Sequence, residues 1–389
     1  MPLLIALAVW LALNVLATRS VLQLGDRLRM PRMRIAWVWL APFVGAAIAL
    51  LETMSARRQL RAEAAPPPVR AYEAAPDEVP AAGVPAFDVR GHLQDVNGWP
   101  MLDWPAAEAW RATVADEAVR TAVRVDLHRA WLAHLRDALG EHFWLHESDD
   151  ALILSSLETA VAGAMSRYVA TTRKRVSQTL GALARYPAGV KSVVLVVDDE
   201  EAYYHYISMF GSAEGELARS GGVFINMGCP HFVVRRDDLN AIEPTIAHEL
   251  THSALAWLRL PLWVDEGLAV NTEHRIAGAR GGEFTARELH DKHVAFWDDE
   301  RIQQFWTGAS FRRQDDGNLL SYELARIMVA QMGRDWPAFE QFARHARRAD
   351  AGAAAAREHL ALDLGAYASL IVEREPGAGW TPAIAAPAA

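Results

Sequence analysis

Apolar positions recur at helical spacing over much of the chain. Residues 105–139 and 148–186 carry long helical patterns, and Ser148-Asp149-Asp150 offers a start signal for the second. From Val190 to Val197 the pattern changes to a β-branched run that ends in acids, which predicts a buried strand. Residues 222–226 and 231–235 are shorter runs of the same kind, so the three predict a small sheet. Helical spacing then returns with Ile242, Ile246 and Leu250, and Leu239 lies a turn earlier. Asp237-Asp238-Leu239-Asn240 supplies capping residues and acidic charge at that helix start. Leu260-Pro261 ends the helix, and Leu262 begins another. From residue 285 onward the pattern is helical again, with Trp297, Phe305, Trp306 and Phe311 as packing residues. The expected fold is α+β and predominantly helical, with a small sheet packed on the helix through 242–250.

Both ends of the chain read differently. Leu3–Ala17 is apolar apart from Asn14, and Ile35–Leu51 is apolar throughout. These two runs predict a transmembrane hairpin within a membrane-anchoring segment, 1–61, although each is short against the roughly 20 residues usual for a span. Eight arginines against Asp26 and Glu52 give 1–61 a net charge of +6, which leaves −15 for the rest of a chain totalling −9. Five of those arginines fall between the runs, which places that connection in the cytoplasm and the folded part outside; Arg57, Arg58 and Arg61 oppose this orientation. Three lysines against many arginines, with abundant alanine, suggest a GC-rich bacterial source, hence an inner-membrane anchor. Residues 62–86 hold six prolines and many alanines and read as a tether. The folded part is expected over 87–376, with its core at 190–345 and a disordered Pro/Ala-rich tail at 377–389.

About half the residues are hydrophobic and about a fifth charged, enough for a sizeable core. The acidic soluble part argues against nucleic-acid binding, which needs phosphate neutralisation. A single cysteine, Cys229, excludes an intrachain disulfide framework and a cysteine-based metal site. It reads as a small buried hydrophobe.

The candidate chemistry lies in His248-Glu249-Leu250-Thr251-His252. On a helix His248 and His252 share one face a turn apart, so both imidazoles can grip one Zn²⁺. Glu249 leans toward the same side, where it can take a proton from water at the metal. Thirteen residues separate His252 from Glu266, enough for a helix end, a reversal and a return. Glu266 can then be the third ligand and leave an open fourth position, the arrangement of a catalytic zinc. Gly267 and Ala269 are small, as close helix packing at such a site requires. The bland readings are a surface histidine pair, a solvated Glu249 and a helix-capping Glu266. Asp265 lies beside Glu266 and could be confused with it. His290, Asp291 and His293 mimic a second cluster and read better as a polar helix face, and His128 and His134 as packed or solvated helix residues.

HELTH followed by PLWVDEGLA resembles the gluzincin metallopeptidases, in particular the compact peptidase MA-like branch. Gly221–Asn226 and His231–Arg235 look like the strands before the metal helix of that branch, and Leu320–Ala325 like the start of its following helix, so 190–345 is covered. The resemblance implies a zinc peptidase with one Zn²⁺ per chain on His248, His252 and Glu266, and with Glu249 as general base; the apolar runs in 1–61 would tether it to a membrane. It also implies a donor across the cleft for a developing oxyanion, for which Tyr322 is the candidate. Many gluzincins carry an acid four positions after the ligand glutamate. Here that position is Val270, and Asn271 or Glu273 would have to substitute. The substrate would be a peptide or protein, held by strand addition along 231–235 through Val233 and Val234. The alternatives are a non-proteolytic metal-binding scaffold and a zinc amide hydrolase acting on a non-protein substrate. Oligomeric state is not legible.

Overall fold

A computed structural model describes residues 10, 11, 13–19, 21, 22, 38, 73–186, 189–210, 222–236, 239–278, 284–375 and 379–383. They divide into two compact units, Met1–Ala71 and Tyr72–Ala389. In the first unit residues 13–19 are helical, and Asn14 is buried. With its amide turned to satisfy both partners, Asn14 accepts from Trp10 Nε1 at 2.8 Å and donates to Val38 O at 3.2 Å. Among the described residues no helix is long and apolar enough to cross a membrane. The expected transmembrane hairpin is therefore not supported, and most of 3–17 and 35–51 lies outside the described residues. The physical weakness was length: both runs fall short of a typical span.

The second unit opens with two hairpins, β1 (Glu78–Ala81) with β2 (Val84–Asp88) and β3 (Leu93–Val96) with β4 (Trp99–Leu102). The first hairpin occupies the end of the stretch read as a tether. In the second, Asn97 and Gly98 take φ of 54° and 84° and make the two-residue turn. Helices α1 (Trp104–Ala112) and α2 (Glu117–Leu139) follow. The helix expected from 148 is instead a hairpin and then a shorter helix: β5 (Trp144–Glu147), β6 (Ala151–Ser155) and α3 (Thr159–Leu180). Ser148 does not cap a helix. Its Oγ accepts Ala151 N at 3.1 Å and closes the turn between the strands. The run ALILS is buried at every position, and a short run of that kind has no period to separate strand from helix.

β7 (Ser192–Val197), α4 (Glu200–Ile207), β8 (Gly222–Ile225) and β9 (His231–Arg235) complete the strands. The sheet has five, in the order β5-β6-β7-β9-β8. β6, β7 and β9 run parallel, and the outer strands β5 and β8 pair antiparallel to their neighbours. Both faces are covered. Ile153, Val194, Val196, Phe232 and Val234 pack toward the helices, whereas Leu152, Leu154, Val193, Leu195 and Val233 pack toward α2 and the hairpins. This two-sided burial is why β7 reads as an unbroken apolar run.

Helix α5 (Leu239–Leu255) lies on the first face beside α3. Ile242, Ile246 and Leu250 are buried, as their spacing predicts. The capping residues Asp237 and Asp238 lie outside the described residues. α6 (Leu262–Ala277) packs on α5, and α7 (Ala286–Phe296), α8 (Asp299–Thr307), α9 (Asp316–Met332), α10 (Trp336–His345), α11 (Ala353–Leu360) and α12 (Leu364–Ile371) follow. Residues 379–383, expected to be disordered, are docked instead. Trp380 is buried, its carbonyl accepts Trp306 Nε1 at 2.8 Å, and Gln303 Nε2 bonds Gly379 O and Thr381 O at 2.6 and 2.8 Å.

Candidate metal centre and cleft

Two helices bring the site together. α5 is fixed from α3 and the segment after it by Tyr168 Oη on Glu243 O (2.9 Å) and Tyr186 Oη on Leu250 O (2.8 Å). It presents His248 and His252 on one face. α6 starts after Pro261 and returns past that face, carrying Glu266. His248 Nε2 and His252 Nε2 are 3.1 Å apart, and Glu266 Oε2 lies 3.2 and 3.5 Å from them. Donors at about 2.0–2.1 Å on a tetrahedral ion are separated by about 3.3 Å. Glu266 Oε2 is buried and makes no well-directed hydrogen bond. The three donors thus fit one metal ion, and they are the one group of this kind among the described residues.

Each ring is held from behind by a carboxylate. His248 Nδ1 meets Glu273 Oε2 at 3.1 Å, and His252 Nδ1 meets Asp265 Oδ2 at 3.1 Å. Carboxylates only accept, so both Nδ1 atoms carry the hydrogen and both Nε2 atoms face the centre. Burial would lower both imidazoles, but Glu266 and Glu273 hold His248 up at about 9, and Asp265 and Glu266 raise His252 strongly. Burial works equally against Glu266, yet the two imidazoles keep it well below the usual carboxylate range. This electrostatic surplus of acid favours a cation.

Glu249 is buried. Burial pushes its carboxyl up against the opposing pull of His248 and His252. Tyr322, on α9, lines the same cleft of about 990 Å³. Burial and the carboxylates of Glu266 and Glu249 push its phenol far up, so it remains a donor. Its ring packs edge-on against Phe311 at 5.1 Å. Gly267 explains how α9 comes so close: a Cβ there would lie 2.6 Å from Ala325 O. The small residue serves the α6–α9 contact.

The structure therefore gathers His248, Glu249, His252, Glu266 and Tyr322 in one cleft. Val233 and Val234 are not there. β9 is paired on both sides, and both valines are fully buried, so neither can meet a substrate. The strand along the cleft is the edge strand β8, with Gly222, Val223, Phe224 and Ile225 in the wall. Glu273, one of two substitutes weighed for the missing acid, takes the orienting position, and Asn271 instead donates to Gly267 O at 2.6 Å. In sequence Asp265 stands only as a rival to Glu266, not as the partner of His252 that it is in the structure. His252 thus meets Asp265 at Nδ1 and Glu266 at Nε2.

The other histidines have separate settings. His293 Nδ1 accepts Trp297 Nε1 at 2.9 Å, and His290 faces Glu373 at 3.4 Å. Cys229 is free and buried. No protein-family model matches the chain, and no curated protein or solved structure matches it.

Proposed function

We propose that this chain is a zinc-dependent metallopeptidase of the gluzincin type. One observation carries the reading: two Nε2 atoms and a buried carboxylate oxygen converge at tetrahedral spacing in an open cleft, with Glu249 beside them. Zinc bound there would polarise a scissile carbonyl and lower the pKa of water toward neutrality. Glu249 takes the proton of the attacking water and passes it to the leaving amine; its raised pKa suits a base. Tyr322 donates its phenol hydrogen to the carbonyl oxygen as charge develops there. An extended peptide lies along β8, which lines the cleft wall, whereas β9 is paired on both sides.

Zinc-loaded full-length chain is incubated with a mixed peptide library, with Glu249→Gln as the blank. The expected outcome is cleavage that drops by at least about 10²-fold in the variant while bound metal is retained. Equal turnover by both proteins, or no cleavage by the parent, removes the proposal and leaves a binding role.

A further inference from the structure

A second cavity of about 800 Å³ adjoins the cleft, and Phe224, Asn226 and Ala256 line both. Arg124, Arg173, Arg185 and Lys191 stand in its wall against one carboxylate, Glu108. Their partners divide them. Arg173 bonds Asp150 O at 3.1 Å and lies 3.8 Å from the Asp150 carboxylate, and Lys191 is paired with Glu147 at 2.7 Å. Arg124 has Glu108 at 4.0 Å, but that carboxylate already accepts Arg111 Nε at 2.9 Å. The Arg185 guanidinium lies 3.5 Å over the Trp257 ring, which fixes its plane and does not neutralise its charge. His128, 3 % exposed, lies in the same wall with Nδ1 lacking a hydrogen-bond partner. Asn226 and Ser253 add polar groups.

Cations gathered in a concave wall and only partly compensated concentrate an anion there. We propose that this cavity is an anion subsite that takes a carboxylate of the bound substrate, either an acidic side chain or a chain terminus. The junction is at the end of β8, so a peptide running along that strand past Phe224 reaches Asn226 where the cavity opens. The carrier of the charge rests on the peptidase reading; anion binding itself does not. Phosphate has the same chemistry and is the alternative occupant.

Calorimetric titration of full-length Glu249→Gln removes turnover from the measurement. The probes are N-acetyl pentapeptides that differ only in Glu against Gln at each position or in a free against an amidated C-terminus, and inorganic phosphate. The acidic member of at least one pair should bind at least about tenfold more tightly than its neutral partner. The discrimination should fall toward one when Arg124→Gln and Arg185→Gln are added, and partly with Arg185→Gln alone, whose side chain is at the surface. Phosphate binding that is lost in the same variants, without discrimination between peptides, would support the site with a free anion as its occupant. If neither the acidic peptides nor phosphate bind the arginine variants more weakly than the parent, in proteins with unchanged thermal midpoints, the subsite is overturned. Failure of the peptidase reading shows separately, as absent cleavage by wild-type chain.

Discussion

At the scale of single residues, the two histidines are oriented by carboxylates outside the three-donor cluster. Glu273 holds His248, and Asp265 holds His252, each at 3.1 Å through Nδ1. Such partners fix the tautomer and raise ligand basicity, and their loss typically costs about 10–100-fold in metal affinity. Glu273→Gln should weaken zinc binding by that factor in a competition titration with a chelator. Unchanged affinity would mean that His248 is positioned by α5 alone. The histidine pair was legible in sequence because residues four apart on a helix share a face, and Glu266 because its context marks a returning helix. Glu273 follows seven residues later, about two turns on, and so faces the same way. The valines of β9 were misassigned because strand order in a sheet is a tertiary fact: a five-residue apolar run looks the same at an edge as in the interior.

At the scale of elements, the cleft is built by close approaches that only glycine permits. Gly267 lets α9 pack against α6, and Gly222 lets β8 press on α5, since a Cβ at 222 would come within 2.6 Å of Thr245 Cγ2. Gly267→Ala must displace backbone of α9, because the obstacle is the Ala325 carbonyl. Overpacking of this kind costs about 1–3 kcal/mol. The expected result is a lower urea midpoint together with reduced turnover, because Tyr322 is one turn from Ala325 on the moved helix. A variant with full stability would show that the helices part without strain. The site helices could be read from periodicity, and three of the five sheet strands from short apolar, β-branched runs. β6 could not, since ALILS is buried throughout and holds a single β-branched residue, whereas the β3–β4 hairpin carries an Asn-Gly turn.

At the scale of the whole molecule, a sheet covered on both faces joins two apolar clusters, and buried neutral histidines mark them. His231 Nδ1 donates to Cys229 O at 2.7 Å, and its Nε2 accepts from Tyr206 Oη at 2.8 Å. Burial lowers it to about 4; burial and then Arg124 lower His128 to about 3; burial lowers His293 to about 4. Unfolded chains take up these protons near 6.5, before the native state does. The stabilisation is complete above that value and is lost as pH falls toward the folded values, with a limit of about 1.4 kcal/mol per pH unit for each histidine. The metal-site histidines, whose pKa values are raised, are already protonated in both states below about pH 5.5 in the absence of metal and add no slope there. Thermal midpoints measured with chelator should fall from pH 6 to pH 5, less steeply in His231→Gln. A flat profile would contradict the neutral burial of these rings. The docking of 379–383 and the β1–β2 hairpin were not legible, because Pro- and Ala-rich composition conceals the few residues, such as Trp380, that anchor each segment.

The most direct measurement is the zinc content of the purified full-length chain, titrated to saturation and compared with His252→Ala and Glu266→Ala. One zinc per chain, lost in both variants while the fold is retained, is the expected result. A chain that stays folded and takes up no zinc, or that binds it equally well without His252 and Glu266, would contradict the centre on which the account rests.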